Sequence, residues 1–189
     1  MKENETITIE EKDTYYEIIS TKNKNKNNKT SSIDLGECEN SLKEYYKIDK
    51  EESLIIFKID AKIERKTGPS TIYEVYYPLL DPYKLEKLDL TICEGNQVDI
   101  SYHIDLENPD LYNKDNPYYH DICFPSSGKI DMILGDRQKQ YSENNMSLCE
   151  ENCEFISYNT IDNTVECSCE IKINIPLISE VTIDKNKLY

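Results

Sequence analysis

The chain lacks tryptophan, has only two histidines and is short of positive charge. Its 22 lysines and arginines face 37 aspartates and glutamates, a net charge of −15 over 189 residues. Phosphate binding needs Lys and Arg gathered on one face, so the deficit argues against nucleic acid and against anionic membrane surfaces as partners. Cationic partners and divalent ions stay open. No apolar run approaches the roughly 20 residues that a membrane-spanning helix requires. Met1 to Asp13 is charged and carries no apolar segment of signal-peptide type. The sequence holds no C-x2-C zinc knuckle, no D-x-D-x-D-G calcium loop, no internal repeat and no motif placing a nucleophile beside a histidine. It is therefore expected not to be an enzyme and to need no cofactor.

Apolar residues make up 38% of the chain, below the usual level of about 45–50% (a count that includes glycine). Fifteen tyrosines make up part of the shortfall, each burying a ring and needing a partner only for its hydroxyl. The core is expected to be thin for the length. Seven cysteines offer a remedy. Cys38, Cys93 and Cys123 are dispersed, whereas Cys149, Cys153, Cys167 and Cys169 form C-x3-C-x13-C-x-C. Cross-links restrict the unfolded chain and stabilise by roughly 2–4 kcal/mol each. The C-x-C pair places both side chains on one face of an extended strand, which suits two cross-links better than one metal. Free thiols and metal ligation are the alternatives in a reducing compartment. An odd count leaves at least one cysteine without a partner inside the chain.

Hydrophobic alternation predicts a mainly β protein. Thr6–Glu10, Tyr15–Ile19, Ser53–Asp60, Thr71–Tyr77, Glu86–Cys93 and Val98–Asp105 all read as strands. Residues 53–77 read as one long hairpin around a Gly-Pro turn, and 86–105 as another. Thr21–Ser32 is low-complexity and polar, a flexible loop. Asn40–Lys50 is ambiguous and has room for a short helix. Asp136–Asn145 is the best helix, with Asp136 as its N-cap. Glu154–Tyr158 and Thr164–Ile173 then pair across a turn at Asn159–Asn163. If that turn centres near Ile161, Cys153 lies opposite Cys167 or Cys169. Cys149 then takes the remaining member of the C-x-C or Cys123. Ile175–Leu188 continues in strand-like sequence, as expected of a piece of a longer chain. The fold expected is an antiparallel β-sandwich over residues 1–122, with a cysteine-rich helix–hairpin segment, 123–189, packed on it. Leu54, Ile56, Leu88, Leu90, Ile100, Tyr102, Ile171 and Ile173 are the expected core.

The spacing from Cys123 to Cys169 partly resembles the third, fourth and fifth cysteines of EGF-like modules, although the sixth cysteine and the usual glycine are absent. The run YYHDICF, GDRQKQY, NNMSLCEENC and VECSCEIK, within residues 86–189, is similar to cysteine-containing ectodomain segments in large surface proteins of unicellular eukaryotes. That resemblance implies an extracellular or cell-surface location through an anchor outside this sequence. It transfers no functional residue. Tyrosine-rich runs such as Tyr73–Tyr77 and Tyr118-Tyr119 suit sheet packing, or a face for a protein or carbohydrate ligand. Asn4, Asn28 and Asn145 head glycosylation sequons. The acidic loop with Asp105, Glu107, Asp110, Asp115 and Asp121 is a solvated loop or, if an ion binds at all, a calcium site built on Asp105, Asp110 and Asp115. The leading expectation is a non-enzymatic extracellular domain, for adhesion, recognition or coat structure. The alternative is a cytosolic or viral structural protein with free thiols.

Overall fold

A computed structural model describes residues 6–23, 28–62, 69–80, 84–106, 109–113, 115–125, 131–143, 148–150 and 152–173. The expected strand at 175–188, Gly68 of the expected Gly-Pro turn, Glu107, Asn4 and Asn145 lie outside the described residues, as do 24–27 of the low-complexity loop.

Two antiparallel sheets enclose one core. The first is built from β1 (Ile7–Glu11), β2 (Thr14–Ser20), β4 (Ile55–Lys62), β5 (Pro69–Tyr77) and β6 (Glu86–Lys87), in that spatial order. The second has the order β10 (Cys153–Asn159), β11 (Thr164–Glu170), β7 (Gln97–His103), β3 (Ser32–Asp34). A small ribbon pairs β8 (Cys123–Phe124) with β9 (Met132–Ile133). The expected 53–77 hairpin is the β4–β5 pair, in register from Ile55–Tyr76 to Lys62–Pro69. The mainly β, antiparallel sandwich with a C-terminal cysteine-rich hairpin is the fold observed. That hairpin joins the first part of the chain edge to edge, because β11 is hydrogen-bonded to β7 along its length.

Several expectations change. The expected 86–105 hairpin does not form, because β6 pairs with β5 in the first sheet whereas β7 lies between β11 and β3 in the second. The expected flexible loop at 21–32 ends early, with Thr30 and Ser31 buried under the first sheet's charged residues and Ser32 opening β3. Residues 86–93 form a strand only at Glu86–Lys87, and Leu90–Cys93 is a 3-10 turn. Asp89 caps that turn by accepting the Thr91 N–H at 3.0 Å, and the bond holds its carboxyl below the usual carboxylate range. The turn carries Cys93 inward to Cys38, a constraint that outweighs the alternating pattern. The ambiguous segment holds α1 (Glu37–Tyr46). Cys38 and Leu42, one turn apart, are buried on its inner face, Glu37 and Glu39 complement the helix dipole in the first turn, and Lys47 ends the helix in the left-handed region at φ 57°. The later helix, α3 (Leu134–Glu143), starts two residues before Asp136, which lies in its first turn rather than at the N-cap.

Of the eight expected core residues, Leu54, Ile56, Leu88, Leu90, Ile100 and Tyr102 are buried. Ile171 is half-buried against the core, and Ile173 is half-buried at its edge.

Candidate functional site

Six of the seven cysteines are paired. Cys38 binds Cys93, Cys149 binds Cys167 and Cys153 binds Cys169, with Cα separations of 5.1, 5.9 and 4.0 Å. The hairpin register decides the last pair. Asn159 faces Thr164 and Tyr158 faces Val165, so an unbroken ladder would set Cys153 opposite Glu170. A bulge between Phe155 and Ser157 absorbs one residue, and Cys153 then faces Cys169. The bulge also turns both Phe155 and Tyr158 toward the core. Cys123 is a free, exposed thiol.

The two sheets are tied across the core by charge as well as by apolar packing. Glu17, Lys58 and Tyr73 form one row on the inner face of the first sheet, and Tyr15, Asp60 and Thr71 form the next. Lys58 is fully buried, and Glu17 and Asp60 are nearly so. The Lys58 ammonium lies 2.7 Å from Glu17 Oε2 and 2.8 Å from Asp60 Oδ2, and it donates to the Ser31 carbonyl. Its three donors therefore meet three acceptors. The remaining carboxylate oxygens are satisfied by hydroxyls. Thr8 and Thr30 donate to Glu17 Oε1 at 3.1 and 3.4 Å, and Ser31 and Thr71 donate to Asp60 Oδ1 at 2.7 and 2.8 Å. The Ser31 N–H donates to Asp60 Oδ2 at 2.8 Å. Beyond Thr71 the network reaches the cysteine-rich region. Glu150 accepts the Thr71 N–H, and Lys172 donates to the Thr71 carbonyl at 2.6 Å and pairs with Glu150 at 2.5 Å. The signal for Lys58 and Asp60 is in the sequence, since both keep the phase of the core residues Leu54 and Ile56.

A groove of about 160 Å³ lies at the open end of β7, next to this cluster. Its lining includes Asn28, Thr30, Ser32, Ser101, His103 and Thr164. The Ser32 and Ser101 hydroxyls bond to each other at 2.7 Å, and His103 Nδ1 lies 2.9 Å from the Asp162 carbonyl of the hairpin turn. The groove offers hydroxyl, amide and imidazole groups, and Asp162 also lines it. Asn28 sits exposed on its rim, and Thr30 of the same sequon is buried against Glu17.

The acidic loop is spread out. Asp105 accepts from Asn163 Nδ2 at 2.7 Å and lies 3.6 Å from His103 Nε2. Asp110 lies in a short 3-10 turn, Pro109–Tyr112, and Asp115 is exposed after Asn113. Among the described residues no three acidic, histidine or cysteine side chains converge as metal ligands.

Sequence reasoning missed Arg137, which is buried on α3. Its guanidinium donates to the Tyr118 and Asp121 carbonyls and lies 5.1 Å from the Tyr118 ring and 5.6 Å from the Phe124 ring. It fastens α3 to α2 (Pro117–His120) and to β8.

No protein family, no curated protein and no solved structure matches the chain. Three disulfides point to an oxidising environment, and among the described residues no helix is long and apolar enough to cross a membrane.

Proposed function

We propose that the chain is a non-enzymatic domain of a secreted or cell-surface protein, serving recognition, adhesion or coat structure, with its anchor outside this sequence. The observation that carries this reading is the pairing of six cysteines into three disulfides, a pattern at home in oxidising compartments. The resemblance to ectodomain segments of unicellular eukaryotes points the same way. His103 is engaged with a main-chain carbonyl of the hairpin turn, a structural role for one of the two histidines. The groove beside it, lined by hydroxyl and amide groups and by Asp162, suits a hydroxylated ligand such as the end of a glycan, or a peptide backbone. Its polar groups match such ligands by hydrogen bonding.

Thiol counting on denatured, unreduced protein tests the reading. One reactive thiol per chain, Cys123, is the expected result. Seven thiols in protein taken from its native compartment would instead favour the cytosolic or viral alternative.

A further inference from the structure

The first sheet is inverted in polarity over much of its width. Its inner face holds the Glu17–Lys58–Asp60 cluster, whereas its outer face is apolar. Register lines the outer residues into rows across four strands. Ile9, Tyr16, Ile59 and Ile72 form one row. Ile7, Ile18 and Phe57 form the next, which ends at Glu74. Ile7 and Ile9 are 47% and 51% exposed, and Tyr16, Ile18, Phe57, Ile59 and Ile72 are only half-buried. The described helices pack elsewhere, α1 on the 3-10 turn and β7, and α3 on β9. Charge is confined to the margins. Glu11 stands at one corner, and Glu74 at the opposite edge is paired with Lys87.

We propose that this outer face is a homodimer interface, on which a second copy of the chain lays its own outer face. Two arguments select a second copy. The chain carries −15, so two copies repel through most of their surface, and this neutral patch is where they can approach. A face whose centre is uncharged can also meet its own copy about a twofold axis through that centre, as an isologous interface requires. Anionic membrane is disfavoured by the same charge. The size fits a weak dimer. Four strands about 4.8 Å apart and some seven residues of about 3.3 Å each cover roughly 450 Å² in plan. Two such faces bury on the order of 1,000 Å², at the lower limit for a specific interface. Association is therefore expected in the micromolar range or weaker.

Sedimentation equilibrium of the oxidised protein tests this, in a Cys123→Ser background so that the exposed thiol cannot link two chains. The mass should rise from 22.1 kDa toward twice that value with concentration. Added sodium chloride should strengthen association by screening the like charges. Ile9→Glu, at a site exposed enough to leave the fold intact, and Phe57→Glu should each weaken association by about tenfold or more, as a charge buried in an apolar interface does. Ile133→Glu, on the separate β8–β9 ribbon, should leave it unchanged. A monomer up to about 1 mM, beyond the micromolar affinities typical of standard-size interfaces, would overturn the proposal. So would a dimer that Ile9→Glu leaves intact.

Discussion

The two sheets solve one problem with different chemistry. The second sheet turns Val98, Ile100, Tyr102, Val165, Cys167 and Cys169 toward the core. The Cys149–Cys167 disulfide fastens the polar segment ahead of β10 to it, and Cys153–Cys169 locks β10 to β11. The first sheet has no cysteine. Its inner face buries two carboxylates and one ammonium, and this cluster fastens residues 30–31, at the end of the low-complexity stretch. Each device pins a polar connecting segment that has too little apolar surface to order itself. The devices differ in how they fail. A disulfide acts largely through the unfolded chain, so its loss leaves the native contacts in place. An ionic cluster acts in the folded state, and losing one member strands the others in the core.

The sharpest break of this comparison is Lys58→Met. It leaves Glu17 and Asp60 facing each other without a cation, and removing one partner of a buried pair destabilises by about 3–5 kcal/mol. Urea unfolding at neutral pH, under oxidising conditions, would show the midpoint fall. Replacing all three residues with apolar ones of similar volume (Glu17→Leu, Lys58→Met, Asp60→Leu) should recover much of the loss, because the desolvation penalty disappears together with the pairing. A Lys58→Met protein as stable as wild type would mean that the cluster does not hold residues 30–31 against the first sheet.

The matching break in the second sheet is the double substitution Cys149→Ala, Cys167→Ala. Opening a loop of 18 residues should lower stability by about 3 kcal/mol, and opening the 55-residue loop between Cys38 and Cys93 by about 4 kcal/mol, on loop entropy alone. The location of the change separates the two sheets. Hydrogen exchange in the Cys149/Cys167 variant, or under mild reductant, should rise first across 148–173 while β4 and β5 stay protected. Uniform loosening would show that the sheets do not hold their segments independently.

The strands were legible where alternation alone decides them. Ile100 and Tyr102 lie in a period-two run and are buried, whereas Leu54 and Ile56 are buried out of a continuous apolar run, Leu54–Phe57, whose following alternation (Phe57 and Ile59 apolar, Lys58 and Asp60 charged) would have pointed the wrong face inward. Alternation failed at Glu86–Cys93, where a capping carboxylate and a disulfide bend the same residues into a turn. The pairing of Cys153 was legible only as a choice of two, because a bulge shifts register by one residue and no turn residue marks it. The ionic cluster was half visible. Lys58 and Asp60 share the phase of the core, but their partners Glu17, Ser31 and Thr71 come from distant segments, and one sequence does not show that they meet. The Arg137 anchor rests on main-chain carbonyls, which have no sequence signature.

A third test uses alkali, which acts on tyrosines facing the core from both sheets. Burial pushes the Tyr73 hydroxyl up from 10.0 to about 12, and burial also raises Tyr102. A group whose folded pKa is raised gives stability that is complete below the unfolded value and is lost as pH climbs through the folded one. Stability should therefore hold to about pH 10 and then fall by about 2–3 kcal/mol toward pH 12 from Tyr73 alone. Thermal unfolding followed from pH 8 to 11 would show a plateau and then a decline. A decline starting near neutral pH would point away from the tyrosines.

The smallest effects come from deleting these two hydroxyls one at a time, and they should differ. Tyr102 donates to the Leu148 carbonyl, one residue from Cys149. Tyr102→Phe leaves that buried carbonyl without its donor and should destabilise by about 1–3 kcal/mol. Tyr73 lies beside Lys172 at a cavity of about 50 Å³, and among the described residues its buried hydroxyl completes no well-formed hydrogen bond, with only a weak interaction from the Lys172 main chain. A cavity of that size has room for a water, so removing the hydroxyl strands little in the protein. Tyr73→Phe should therefore change stability by less than about 0.5 kcal/mol at pH 7. Above pH 10 the variant should be the more stable protein, because it has no buried hydroxyl to ionise. Chemical denaturation at pH 7 and again at pH 10.5 reads both signs. A large loss at pH 7 would show that the Tyr73 hydroxyl holds the Lys172 segment against the first sheet.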